Sequence, residues 1–352
     1  MKKVYIVLAN GETIYGKSFG ADVDTIGEIV FTTGMGGYIE TLTDPSYYGQ
    51  IIVQTFPLIG NYGMISEDFE SRACFAKGYV VRDFCDAPSN FRCEGNLDSY
   101  LKANNIPGVY DVDTRYLTKM IREKGVMNAC ITADPDSVSF EELNNYKIEN
   151  VLPYVTVQEK TIALPEGEVK HTVGLIDYGA KLNIERELTK RGCKVIIYPQ
   201  NTKAEEILAD NIEGIMLSNG PGDPAVYTDC ITELKKFISK KPIFGICLGH
   251  QLLALANGAT TSKLRYGHRG VNHPVKDLVG GRTFITTQNH GYAVDNNSLP
   301  DGAVLRYTNG NDSSCEGIDY TDKNAFSVQF HPEACAGPLD TEFLFDRFIK
   351  MI

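Results

Sequence analysis

Hydrophobic positions follow one rhythm up to about residue 145 and another from His171 onward. Near the start, Val4-Tyr5-Ile6-Val7-Leu8 reaches Asn10-Gly11 and continues as Glu12-Thr13-Ile14-Tyr15, the pattern of a β-hairpin. Apolar runs at 28–32, 50–54 and 78–82 predict further strands. Over 113–124, Leu117, Met120 and Ile121 fall on one helical face, and Gly125 is placed to stop that helix. Gly34, Gly36, Gly37, Asp44 and Pro45 mark loops. The pattern weakens where Pro153, Pro165 and Gly167 stand among scattered charges, so 151–170 reads as a linker.

The second rhythm is strand–helix alternation. Strands are predicted at 173–177, 194–198, 214–218 and 242–246, and helices at 181–191, 204–209, 228–240 and 248–256. Short connections between them predict a parallel, doubly wound α/β sheet. Strands at 284–287, 303–306 and 325–330 extend it, and a helix at 341–349 follows. The expected organisation is a mixed α/β domain at 1–150, the linker, and the doubly wound domain at 171–352.

Composition narrows the classes. With 43% hydrophobic and 22% charged residues, the chain can bury a core and is neither disordered nor fibrous. Its net charge of −11 opposes binding to nucleic acid or an anionic membrane. The opening apolar run is too short for an export signal, and no run approaches the ~18 residues of a membrane span. Nine cysteines without paired spacing read as reduced thiols, which points to the cytoplasm.

The chemistry-bearing segment is Gly245-Ile246-Cys247-Leu248-Gly249-His250-Gln251, where a buried strand enters a helix. This is a thiol form of the nucleophile elbow, whose tight turn needs residues without Cβ on either side. A sulfur there stands above the sheet's carboxyl edge, at a helix N-terminus that favours thiolate. The N–H of Leu248 is directed at a developing oxyanion. Two plainer readings exist: a small buried cysteine, or a Cys-x-x-His metal pair with His250, for which no second pair at zinc spacing is nearby. A thiol nucleophile needs a base and an orienting group. Phe330-His331-Pro332-Glu333 offers both, with the carboxylate two residues from the imidazole. His250, His268, His273 and His290 are alternatives, and spacing alone does not choose among them.

Taken together, these motifs resemble the class I, triad-type glutamine amidotransferases over about 171–352. The resemblance implies that Cys247 attacks the side-chain amide of L-glutamine, His331 carries the proton and Glu333 orients His331. Residues 1–150 resemble the N-terminal domain of the small, glutaminase subunits of carbamoyl-phosphate synthetase. The carrying segments are Thr41–Tyr48, Gln50-Ile51-Ile52, Ile59–Gly63, Asp113-Thr114-Arg115 and Arg122–Gly125. Leu217–Pro224, Asn272–Val275 and Gln288–Val294 fit the same family. It implies a glutamine pocket of Ser46, Gly220, Gly222, Leu248, Gln251, Asn289, Gly291 and Tyr292, with the Gly220 and Leu248 N–H groups as oxyanion hole. It also implies ammonia transfer to a large synthetase subunit that uses bicarbonate, ATP and Mg, for arginine or pyrimidine synthesis. This chain carries no Gly-x-x-x-x-Gly-Lys-[Ser/Thr] phosphate loop, and no cofactor or metal of its own is expected. An amidotransferase feeding anthranilate or GMP synthesis would leave 1–150 unexplained, and the intact Cys247, His331 and Glu333 argue against a non-catalytic scaffold.

Several positions depart from the family pattern. Tyr292 stands where Phe is usual, Arg269 where a second His is common, and Ala334-Cys335-Ala336 where Ala-Ser-Pro is usual. Cys335 is expected to bring an oxidisable thiol near His331. Thr33-Gly34-Met35-Gly36-Gly37 is unusually glycine-rich, which predicts a loose loop before Ser46.

Overall fold

The computed structural model describes residues 2–334 and 336–352. The chain divides into two compact units, Met1–Ile148 and Glu149–Ile352.

In the first unit, β1 (Lys3–Leu8) and β2 (Thr13–Gly20) form the hairpin expected at Asn10-Gly11, with Tyr5 opposite Tyr15. After them come β3 (Thr25–Thr32), α1 (Tyr38–Thr43), β4 (Gln50–Gln54), β5 (Leu58–Ile59) and β6 (Gly78–Val80). The unit continues with β7 (Asp83–Phe84), α2 (Leu97–Ala103), β8 (Pro107–Tyr110), α3 (Thr114–Lys124), β9 (Met127–Thr132) and α4 (Phe140–Asn145). Seven strands close into a barrel in the order β1-β2-β8-β6-β4-β3-β9, which removes the unpaired sheet edge. Helix α3 buries Leu117, Met120 and Ile121, as their spacing predicts. The Asp113 carboxylate accepts from the Tyr116 N–H at its start, and Gly125 ends it at φ 96°. The glycine-rich loop is anchored, not loose: Gln54 Nε2 donates to Gly34 O and the Gly37 N–H donates to Tyr62 Oη.

The second unit begins with α5 (Leu152–Val155), β10 (Thr161–Ala163), β11 (His171–Asp177), α6 (Leu182–Lys190), β12 (Cys193–Pro199) and α7 (Ala204–Ala209). It continues with β13 (Gly214–Leu217), α8 (Thr228–Phe237), β14 (Ile243–Ile246), α9 (Leu248–Ala256), β15 (Thr261–Asp277) and β16 (Thr283–Val294). Last come β17 (Ala303–Asn309), β18 (Cys315–Tyr320), β19 (Ala325–Val328) and α10 (Phe343–Ile349). One ten-stranded sheet runs β10-β12-β11-β13-β14-β19-β18-β17-β15-β16.

Its centre, β12-β11-β13-β14-β19, is parallel, as the alternation predicts. The strands beyond β19 extend the sheet antiparallel, so the whole is mixed. The stretch 151–170 is not a bare linker, because β10 pairs antiparallel with β12 and Pro153 sits in the first turn of α5. Proline fits there because the first N–H groups of a helix have no internal partner. Strand β15 was not predicted. Gly267, Gly270 and Pro274 break its alternation, and its pairing with β16 shifts register twice, between Lys263 and His268 and between Gly270 and His273. Phe244, Phe326, Phe345 and Phe348 pack in the core beneath the parallel strands, with the rings of Phe244 and Phe326 stacked at 4.3 Å. Among the described residues no helix is long and apolar enough to cross a membrane, and the eight cysteines are free thiols.

Candidate functional site

The site forms where the parallel strands end. Strand β14 delivers Cys247 at φ 53°, ψ −104°, and α9 starts at the next residue. A side chain other than glycine at positive φ costs of order 1–3 kcal/mol, so the surrounding contacts must hold it. They leave no room for a side chain two positions away on either side. A Cβ on Gly245 would lie 2.9 Å from the Gly249 carbonyl, and one on Gly249 would lie 2.5 Å from Leu217 O. The Cys247 N–H donates to Val328 O, and the Gly249 N–H donates to Ser218 O, tying the turn to β19 and to the end of β13. Leu248 opens α9, so its N–H has no partner within the helix. Gly220, in the loop after β13, packs against this turn: a Cβ there would collide with Tyr178 O and lie 2.8 Å from Leu248 Cδ2. Gly222 takes φ 92° in the same loop.

The Cys247 side chain is buried, and its Sγ lies 3.7 Å from Asn289 O on β16. Past the end of β19, His331 is fixed by its N–H donating to Thr287 O. His331 Nδ1 lies 2.6 Å from Glu333 Oε1, and both side chains are fully buried. Burial and the nearby Lys181 ammonium depress the His331 pKa, but the charges of Glu333 and Cys247 outweigh them and hold it up at about 9. Burial raises the Glu333 carboxyl, whereas His331 and Lys181 together bring it well below the usual carboxylate range. Among the described residues His331 Nε2 has no fully formed hydrogen bond, although Cys247 is near enough to raise the imidazole's pKa. Loose alignment of this kind is common before substrate binds.

Two residues escaped the sequence reading. Lys181 Nζ lies 3.3 Å from Glu333 Oε1, and Asn183 Nδ2 donates to Glu333 O. Both stand at the start of α6, more than a hundred residues upstream, and carry no local motif. The other histidines are accounted for elsewhere. His250 is fully buried, with Nδ1 2.8 Å from Ser327 Oγ, and burial drops its pKa to about 3. His268 and His290 face Glu316, and His273 packs beside His268.

The remaining expected pocket residues divide between the two units. Gln251 Nε2 donates to Tyr292 O and Gln329 Oε1, so this amide fixes the backbone after β16's Gly291. Gly291 lies beside Arg269, with its would-be Cβ 3.2 Å from Nη2. Asn289 contributes its carbonyl to Cys247. Ser46 belongs to the first unit, in the turn Pro45–Tyr47, where its N–H donates to Asp44 Oδ1. Cys335 lies outside the described residues.

In chemical terms, the second unit brings together a sulfur, an imidazole raised by a carboxylate, and an open helix N-terminus. Comparison with known proteins agrees. The family described as glutamine amidotransferase class-I matches residues 174–351, and the one described as carbamoyl-phosphate synthase small chain, CPSase domain, matches residues 6–131. The carbamoyl phosphate synthase small chain of Clostridium perfringens is 47% identical over 350 residues, covering 99% of each chain. That of Fusobacterium nucleatum is 50% identical over 351 residues, covering 99% of this chain and 97% of the relative. That of Listeria monocytogenes is 49% identical over 358 residues, covering 100% of this chain and 97% of the relative. With both halves matched, the chain belongs to the carbamoyl-phosphate synthase small-chain family and carries a class-I glutamine amidotransferase domain.

Proposed function

We propose that this chain hydrolyses L-glutamine through a Cys247 thioester and passes the ammonia to a large synthetase subunit. The observation that carries this reading is the strained Cys247 beside the buried His331–Glu333 pair. Cys247 sulfur attacks the carboxamide carbon and the carbonyl oxygen becomes an anion. The N–H groups of Leu248 and Gly220 stabilise it, each such donor contributing on the order of 10²–10³ in rate. His331, held protonated by Glu333, gives its proton to the departing nitrogen, so the carbon–nitrogen bond breaks and ammonia leaves. His331 then takes a proton from water, which attacks the thioester and releases glutamate. Lys181 neutralises part of the Glu333 charge and fixes the carboxylate in place.

Gly222, Gln251, Asn289, Gly291 and Tyr292 are proposed to shape the glutamine pocket. For Ser46 the proposal rests on the family resemblance, and Ser46→Ala raising KM for glutamine would support it. Ammonia is nucleophilic only while unprotonated, which favours direct transfer to the partner over release into neutral water. Bicarbonate, ATP and Mg belong to that partner's chemistry, this chain needs no cofactor or metal for hydrolysis, and the carbamoyl phosphate formed would serve arginine or pyrimidine synthesis. The setting proposed is the cytoplasm.

The test is Cys247→Ser in the complex with a large subunit. Carbamoyl phosphate formation from glutamine is expected to vanish, while formation from added ammonia persists. Loss of both activities, or retention of both, would overturn the reading.

A further inference from the structure

A second buried cluster lies in the antiparallel half of the sheet, and hydrolysis as derived above does not use it. His268 on β15 and His290 on β16 are directly paired across the two strands, and Glu316 on β18 points between them. All three are buried. His268 Nδ1 lies 3.3 Å from His290 Nε2 and 3.3 Å from Glu316 Oε1, and the third edge, His290 Nε2 to Glu316 Oε1, is 3.7 Å.

That triangle has the size of one face of a tetrahedral metal site. Zinc bonds to imidazole and carboxylate are about 2.0–2.1 Å, so two ligand atoms around one tetrahedral ion stand roughly 3.3 Å apart. The outer nitrogens are also held as they are in metal centres. His268 Nε2 pairs with Asp312 Oδ2 at 2.8 Å, and His290 Nδ1 donates to Tyr292 O at 2.8 Å. The carbonyl on His290 Nδ1 fixes that tautomer and leaves Nε2 a lone pair. Burial lowers the His268 pKa, but the Asp312 and Glu316 carboxylates on either side outweigh it and hold it up at about 9, so an ion binding there displaces the proton of its inward nitrogen. Asn309 Nδ2 donates to Glu316 Oε1 at 3.1 Å and lies 3.4 Å from His268 Nδ1. The other carboxylate oxygen, Glu316 Oε2, is buried with no hydrogen-bond partner among the described residues. The oxygen that faces both imidazoles is Oε1, which is the one placed to meet an ion.

We propose that His268, His290 and Glu316 bind a divalent transition-metal ion of the zinc class, with a fourth position left to water. A divalent ion balances the two carboxylates, Glu316 and Asp312. The centre would tie β15, β16 and β18 together across the register shifts of β15. It also adjoins the proposed glutamine pocket in sequence, since His290 lies between Asn289 and Gly291. The proposal goes beyond the glutaminase reading and does not depend on it.

The experiment uses the full chain as Cys247→Ser, so that this sulfur cannot ligate. The protein is stripped with a chelator, reloaded with Zn²⁺ or Co²⁺ and dialysed. Expected are one retained equivalent of zinc by elemental analysis, a thermal midpoint that rises with zinc concentration, and visible ligand-field bands of tetrahedral Co²⁺ without thiolate charge-transfer absorption. Glu316→Gln and His268→Gln should each lose the retained equivalent and the bands. Should either variant fail to fold, the Co²⁺ spectrum of the parent chain still decides. Retention of far less than one equivalent, an equivalent that survives in both variants, or thiolate charge-transfer bands would overturn the proposal.

Discussion

The second unit contains two buried imidazole–carboxylate clusters built from the same chemical groups. In one, His331 and Glu333 lie two residues apart in the chain, with Lys181 on the carboxylate and Cys247 beside the imidazole. In the other, Glu316 faces two imidazoles, His268 and His290, brought from two other strands, and among the described residues no sulfur is bonded to either ring. The difference lies in the extra partner. A carboxylate shared with a cation and set against a sulfur holds one proton where it can be delivered. A carboxylate shared between two imidazoles gathers three potential ligand atoms within 4.8 Å of one another, the geometry on which the proposed ion site rests. Burial supplies neither outcome by itself. It raises the cost of leaving either cluster unpartnered.

The sharpest way to break this comparison is His331→Asn. Removing the proton carrier should cut glutamate release by several orders of magnitude, on the order of 10⁴–10⁶ as for nucleophile or base removal in other triads. A loss of tenfold or less, measured as glutamate formed, would place the base elsewhere. Glu333→Gln comes next, with a loss of about 10²–10⁴ in rate. It also moves the pH profile in a defined direction. The His331 pKa is raised to about 9, so its proton is present below that pH and is lost as pH rises through it. The stabilisation from pairing with Glu333 is lost over the same alkaline range, and on the acid side only as pH falls through about 2. Removing the carboxylate charge should shift the alkaline limb of kcat/KM to lower pH. An unmoved limb would show that another group titrates there.

Gly249→Ala tests the turn itself. The added Cβ would approach Leu217 O, a backbone atom that cannot swing aside. The expected destabilisation is about 1–3 kcal/mol, read as a fall of several degrees in thermal midpoint, with glutamate release reduced as well. The smallest effect is expected from His250→Gln. His250 is kept neutral by burial and bonds Ser327, so an amide can replace one of its contacts. Stability should fall by about 1 kcal/mol and glutamate release should stay within about tenfold. A loss approaching that of His331→Asn would mean that the two imidazoles had been assigned the wrong way round.

The parallel centre of the second unit was legible from strand and helix spacing, because each element there buries one face and meets a neighbour of the same kind. The elbow was legible from Gly245-Ile246-Cys247-Leu248-Gly249 for a local reason: a backbone this tight admits few residue types. His331 and Glu333 were legible as a pair because they lie two positions apart in the chain. The barrel of the first unit was not legible, since closure depends on β1 meeting β9 more than a hundred residues later. Neither was β15, whose glycines, proline and register shifts interrupt the alternation on which such a reading relies.

The sequence alone determined the elements with strong periodicity, the strained cysteine turn and the adjacent imidazole and carboxylate, because short-range sterics and spacing fix these. Only the tertiary structure decided which of six histidines stands beside the sulfur, that Lys181 and Asn183 hold the carboxylate, and that His268, His290 and Glu316 converge. Those groups meet through sheet order and strand register, and contacts between distant residues leave no mark on the chain until the sheet is assembled.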